Sequence, residues 1–584
     1  MKNINLHVWI LCMLVLPLLT HEVLAQNINI QAGGSIKVTG TASIVIKDGG
    51  LVNNGTYTKG TELLTFSGTT AATLSGSSNT DLYNVAVSNT GGITTQMGLL
   101  TTNNLTIASG SSFTIDPSKA VTVNGTLTNS AGNAGLVISS TAAGTASLLH
   151  VSADVPATIH RYVTGSSILT DMMYHMVSVP LVPASSSTSN LFLGSYLFDF
   201  TENSNTWNAL GSSTTTPLDE TRGYMTYYPL GASTTYTFAG LINSGSFTPL
   251  TTGSVADNTH GWNLVPNPYP SAIDWNAADG WVKTAIDGSI YFWPAGMPAS
   301  SDNYSTWNGT AGTGTPAGTR YIPAGQSFFV HATTASPVLT MDNGVRVHNA
   351  QAFYKATDLI PNLFRLHAAA KDANDDIIVH FRDGATSGFD GEFDAYKLQG
   401  GADAPQLSSL ASDGYSLSIN SLPLGSGDVV VPLNFSFSSA TDVTFTAEGM
   451  ESFLAGSSIF LEDITLSKIV DLQQNPVYTF GYIAGSTPDR FRLHFSVFTG
   501  ITEHNSVIHG TAFISNGYLY AVVPAMDGQK AEVVLFNIQG QKISTHSKTL
   551  SGITQISGFP YISGVYILRI ISGKQVFTSK IVNK

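Results

Sequence analysis

The chain has 584 residues, only 11% of them charged, and a formal net charge of −13. That balance does not suit nucleic acid, whose binding rests on Lys and Arg neutralising phosphates. The one cysteine, Cys12, leaves no disulfide framework and no thiolate metal site to build on.

Residues 1–25 read as a secretory signal. Lys2 gives a positive start, residues 8–19 are apolar, and Val23-Leu24-Ala25 precede a cut at Gln26. The apolar run is too short to span a bilayer, so a cleaved leader is expected rather than an anchor. No later stretch reaches the length of a membrane helix, and the mature chain is expected to be soluble and free of thiols.

Residues 26–150 are poor in aromatics and rich in Gly, Asn, Ser and Thr. Short apolar alternations recur at Ser35-Ile36-Lys37-Val38, Ser43-Ile44-Val45-Ile46, Asn84-Val85-Ala86-Val87, Asn104-Leu105-Thr106-Ile107 and Ala120-Val121-Thr122-Val123. Turn signals such as Asn54-Gly55, Gly91-Gly92 and Asn124-Gly125 separate them. Strands this short and this regularly spaced bury their inward faces best by stacking rung on rung. The spacing favours a β-solenoid over a flattened sandwich.

Residues 151–355 change texture. Six of the seven Trp fall between Trp207 and Trp307, which marks a separate aromatic-rich β-domain. Pro266, Pro268 and Pro270 cannot sit inside a sheet, so that piece is expected to be a rigid loop. Residues 273–286 carry a helical hint, with Asp274 as its cap. Residues 356–500 then give alternating strands, among them Leu363-Phe364-Arg365-Leu366, Ile377-Ile378-Val379-His380-Phe381 and Val443-Thr444-Phe445-Thr446. They predict an immunoglobulin-like β-sandwich. The whole chain is expected to be all-β.

No His-Glu-x-x-His, Gly-x-Ser-x-Gly or phosphate-loop pattern occurs. Asp372-Ala373-Asn374-Asp375-Asp376 places oxygen ligands at Asp372, Asn374 and Asp376, as Ca²⁺ would want. It lacks the glycine and the closing Glu of an EF-hand, and a hairpin turn at Asn374-Asp375 joining two strands is the favoured explanation. Beyond Ca²⁺ no cofactor is implied. A glycosidase needs two carboxylates about 5–10 Å apart. Asp219, Glu220, Asp274 and Asp279 are the candidates in the Trp-rich segment. Most aromatics of this segment are expected to be core, but flat aromatic faces also stack on sugar rings, and Trp281, Trp307 and Tyr304 are the residues selected for that role.

The tail is compositionally distinct. No Asp or Glu follows Glu532, whereas Lys542, Lys548, Arg569, Lys574, Lys580 and Lys584 do. The segments Ile514-Ser515-Asn516-Gly517, Val534-Leu535-Phe536-Asn537-Ile538-Gln539-Gly540-Gln541-Lys542 and Gly564-Val565-Tyr566-Ile567-Leu568-Arg569, with the Lys-bearing end, resemble the type A C-terminal sorting domain of the Bacteroidetes type IX secretion system. The likeness covers residues from about 513 onward, and 501–584 is delimited as that domain, itself immunoglobulin-like.

The resemblance implies export through the periplasm to the cell surface or the medium, with Gly564, Tyr566, Arg569, Lys574 and Lys580 in the sorting signal. It names the type IX machinery as a partner and surface lipopolysaccharide as a second. The sequence therefore points to a non-enzymatic exported protein, adhesive or in contact with extracellular glycans. A secreted polysaccharide lyase or glycosidase and an architectural matrix component are its rivals.

Overall fold

The computed structural model describes residues 23–25, 27–165, 172–182, 191–192, 194–211, 218–228, 233–249, 251–253, 259–294, 300–315, 318–349, 360–425, 427–454, 456–497, 510–559, 561–573 and 575–583. Strands dominate, and no α-helix occurs among these residues. The chain forms two compact units, one comprising residues 1–161 with 239–244, the other 162–238 with 245–584.

The first unit is a parallel β-solenoid. One stack runs through Ser43–Lys47, Leu63–Gly68, Thr80–Asn89, Leu99–Ile107, Ala120–Val123 and Ser147–Leu149, each parallel to the next. A second runs through Ile28–Ile30, Leu51–Asn53, Ala72–Ser75, Ile93–Thr95, Phe113–Ile115 and Leu136–Ile138. Leu51 pairs with Leu74 and Ile93 with Phe113, rungs of 23 and 20 residues, and the step from Ala120 to Ser147 takes 27. Parallel pairing throughout both stacks rules out the flattened sandwich. The interior is a column of Ile46, Phe66, Val87 and Ile107 facing Leu51, Leu74, Ile93 and Phe113, all buried.

Buried asparagines close the corners. Asn53 Oδ1 accepts Gly55 N–H (3.1 Å), Asn89 Oδ1 accepts Gly91 N–H (2.8 Å) and Asn129 Oδ1 accepts Ala131 N–H (3.0 Å). Their amide groups donate to a neighbouring rung, at Thr80 Oγ1, Thr70 O and Pro156 O respectively. Each thus satisfies a tight turn and ties two rungs together. Val23–Ala25, placed by the sequence at the end of the leader, forms a strand parallel to Ser43–Lys47. Residues 1–22 lie outside the described residues.

In the second unit, the Trp-rich segment is built on a five-stranded antiparallel sheet of Trp262–Pro266, Ser327–Ala332, Ile286–Phe292, Ser305–Asn308 and Thr313–Thr315. Both faces of this sheet are covered. Val265, Ile290, Phe292, Phe328 and Val330 join Tyr269, Ile273 and Trp275 in one core. Trp262, Leu264, Tyr291 and Phe329 join Ile378, Tyr396, Leu417 and Ile419 in another. The second core contains residues from both sides of position 355, so the boundary drawn there from composition divides one packed layer.

The helix hinted over 273–286 is absent. Ala272–Asp274 is a strand, and Asp274 Oδ1 accepts Asn276 N–H at 2.9 Å, closing a turn instead of capping a helix. Trp281–Thr284 then pairs antiparallel with Val338–Met341. Pro266, read from the sequence as part of the loop, is the last residue of the sheet's edge strand and pairs with Ser327, so the proline loop begins one residue later.

Residues 363–497 form one continuous eleven-stranded sheet wrapped around its own core, Phe364, Ile377, Val379, Phe435, Phe445, Leu461, Phe480 and Phe495 among its members. It departs from the immunoglobulin arrangement in being one sheet and in pairing Ala373–Arg382 parallel with Ser416–Pro423. The C-terminal module packs the three strands Thr511–Ser515, Tyr518–Val522 and Thr554–Gly558 with the four strands Lys542–Thr549, Lys530–Asn537, Gly564–Ser572 and Gln575–Asn583, around Leu519, Val533, Leu568 and Ile570. Its first hairpin turns at Asn516-Gly517, both at positive φ (48° and 74°), as a two-residue I′ turn demands.

Candidate functional site

The turn after Ala272–Asp274 carries the site. Asp274 is held by Arg320, whose Nε and Nη2 donate to Oδ1 and Oδ2 at 2.7 and 2.5 Å. This bidentate pair fixes the turn and places Trp275 in the core, 1% exposed, with Nε1 donating to Gly288 O at 2.9 Å. Trp281 packs edge-on against Trp275, centroids 5.0 Å apart, and Trp281 Nε1 donates to Asp274 O. Trp307 Nε1 donates to Asn276 Oδ1 at 2.9 Å, while Asn276 Nδ2 donates to Gly309 O.

Beside this cluster lies a cleft of about 550 Å³, lined by Trp275, Asn276, Lys283, Asp287, Thr310 and Glu392 among others. Lys283 comes from the same short strand as Trp281. Although the residue as a whole is exposed, its ammonium sits 3.6 Å from the Trp275 ring centroid and donates to Trp275 O at 2.7 Å. Burial of that ammonium pulls it down to about 8, against an opposing pull from Asp274. At the back of the cleft Asp287 Oδ2 meets His331 Nδ1 at 2.6 Å, and His331 Nε2 meets His260 O at 2.9 Å. Both side chains are buried, and both ring nitrogens are engaged.

Of the residues chosen for sugar stacking, Trp281 and Trp307 flank the cleft but are half-buried, with their indole N–H groups committed to the protein. Tyr304 lies in the other core, edge-on to Trp293 at 5.0 Å, and burial raises its phenol. Lys283 and the Asp287–His331 pair were not singled out from sequence. The signal for Lys283 was its two-residue spacing from Trp281, which puts both on one face of a strand.

The oxygen-rich stretch folds differently from its reading. The hairpin turns at Lys371-Asp372, since Ala370 pairs with Ala373, and Asn374-Asp375 lies on the strand. Asp372 and Asn374 are exposed, and Asp376 is buried in an ion pair with Arg365. Asp375, on the opposite face, is buried against Lys397, Nζ–Oδ2 2.6 Å. Burial raises the Asp375 carboxyl even with Lys397 beside it. Farther on, Asp394 accepts N–H groups from Ser421 (2.6 Å) and Asp390 (2.8 Å), and burial pushes it up to about 7.

In the tail, Gly564, Tyr566 and Arg569 lie on Gly564–Ser572 and Lys580 on Gln575–Asn583. Tyr566 is buried and donates to Ile562 O at 2.7 Å. Arg569 and Lys580 are exposed, and since Lys580 pairs with Ile567 they are diagonal neighbours on the outward face. Lys574 lies outside the described residues.

Residues 77–495 match the profile of a protein family described as a domain of unknown function (DUF8693). The chain belongs to that family. The matched DUF8693 segment takes in most of the solenoid rungs, the cleft and the wrapped sheet. No curated protein matches the chain.

Proposed function

We propose that this DUF8693 protein is an exported, non-enzymatic protein of the cell surface or medium that contacts extracellular glycans through the cleft beside Trp275. The observation that carries this reading is the cleft itself, where the edge of Trp275 with Ala277 and Ile286 meets a lysine ammonium, a carboxylate rim and the Asn276 amide. Sugar-binding sites combine an apolar wall with a few fixed polar groups in this way. The Asp287–His331 pair is spent on the His260 carbonyl, which favours a structural role for it over proton transfer.

Delivery is assigned to the type IX pathway, with residues 501–584 as the sorting domain and the outward Arg569 and Lys580 as the exposed part of its signal. Two experiments test the reading. Binding of the purified protein to a glycan array should give hits that Trp307→Ala weakens, and an array without hits would end the glycan assignment. Deletion of 513–584 should strand the protein in the periplasm, and its continued appearance outside the cell would end the export assignment.

A further inference from the structure

Lys283 brings a positive charge into the cleft without a carboxylate of its own. Its ammonium has three donors, and one is taken by Trp275 O. Asp274, the nearest acid to influence it, is already held bidentately by Arg320, and Asp287 is held by His331. Glu392 stands exposed at the rim. Among the described residues, Lys283 is in no ion pair, and its contacts are the Trp275 carbonyl and the Trp275 and Trp281 rings. A sheltered cation whose neighbouring acids are committed elsewhere is a site that an anion completes.

We propose that the cleft takes an acidic saccharide, with the sugar's carboxylate or sulfate on Lys283 Nζ and its hydroxyls facing Glu392 and Thr310. This rests on the glycan reading above and narrows it to charged sugars. Ala277 and Ile286 on the cleft wall contribute apolar contact, and the ammonium decides which sugars stay. Neutral sugars leave that ammonium desolvated with two donors unused, which costs affinity. Because burial already pulls the Lys283 ammonium down to about 8, an anion bound there draws it back up, and binding takes up protons near that pH. The charged groups facing Lys283 besides the ligand are Asp274 with Arg320, Asp287 with His331, and Glu392.

The test is titration of the full chain with a hexagalacturonate, a sulfated galactan oligomer and cellohexaose, at pH 6.5 and pH 9.5. Acidic oligomers should bind at least about tenfold more tightly than cellohexaose at pH 6.5, and the advantage should vanish at pH 9.5. Lys283→Met should remove it at both pH values, and Lys283→Arg should keep it at both. The carboxylated and sulfated oligomers between them identify which anion is read. Equal binding of neutral and acidic oligomers, or an acidic preference that survives Lys283→Met, overturns the inference and leaves the glycan reading standing. Absence of binding by all three overturns both.

Discussion

The hydroxyl of Ser515, in the C-terminal module, donates to the carboxylate of Glu462 in the wrapped sheet, and both residues are buried. Glu462 also receives His494 Nε2 at 2.8 Å and lies 3.8 Å from Arg492. Around this contact Phe460, Phe513 and Val522 form an apolar patch of their own, and Thr511 Oγ1 donates to Asp428 at 2.6 Å. The module is thus docked by a small buried interface with a carboxylate at its centre.

Ser515→Ala should loosen that docking by about 1–2 kcal/mol, since a buried carboxylate oxygen loses its donor. Hydrogen exchange across 510–559 should speed up while the strands around Phe364 stay protected. Unchanged exchange would remove Ser515 from the interface.

Acid should act on the same contact. Burial pushes the Glu462 carboxyl up, but the His494 and Ser515 hydrogen bonds, with the His494 and Arg492 charges, outweigh it and hold it below the usual carboxylate range. Its stabilising contribution is therefore complete above the unfolded carboxylate value and is lost as pH falls through the lowered folded one. Protease sensitivity near residue 510 should rise on acidification below about pH 4 in the wild type. It should rise less steeply in Glu462→Gln.

Asp394 predicts the opposite slope. Its folded value is raised to about 7, so its contribution is fully present below the unfolded value and is lost as pH rises through 7. The change amounts to at most about 4 kcal/mol. A carboxyl ¹³C titration of Asp394 should show a midpoint near 7. A midpoint near 4 would contradict the burial assigned to it.

Lys397→Ala should cost about 3–5 kcal/mol in unfolding of the wrapped sheet, because Asp375, which is 0% exposed, loses the ammonium that compensates its charge. Asp375→Leu with Lys397→Met should recover part of the loss. The recovery is incomplete because Asp375 also accepts the Leu407 N–H at 2.6 Å, which the double variant leaves unpaired.

In the solenoid, Asn89→Ala strips partners from Gly91 N–H and Thr70 O at once. A loss of about 2–4 kcal/mol is expected, read in the full chain as faster hydrogen exchange across residues 63–115. An exposed control such as Thr90→Ala should change little.

The solenoid was legible because its rungs expose one face. Val85 and Val87 alternate with residues that meet solvent or turns, so each short run announced itself. The wrapped sheet was legible in its strands for the same reason, as at Leu363–Ala370, which alternates half-buried and buried residues over its whole length. Its parallel pair was not, because alternation carries no partner. The layer shared by Trp262, Tyr291 and Ile378 escaped for a different reason: strands buried on both faces lose the alternation that separates inside from outside. The misplaced helix at 273–286 came from reading Asp274 as a cap when Arg320, 46 residues away, had claimed its carboxylate. Lys283 was obscure because its environment is assembled from a turn, a strand and a neighbouring loop that only the fold brings together.

The aromatic layer that joins Trp262, Tyr291 and Phe329 to Ile378, Tyr396 and Ile419 has a practical corollary. A fragment severed near residue 355 would expose half of a hydrophobic seam on each piece, and both pieces would aggregate. Gene-level reshuffling would meet the same obstacle, so lineages that carry this protein are expected to inherit residues 162–497 as one indivisible block.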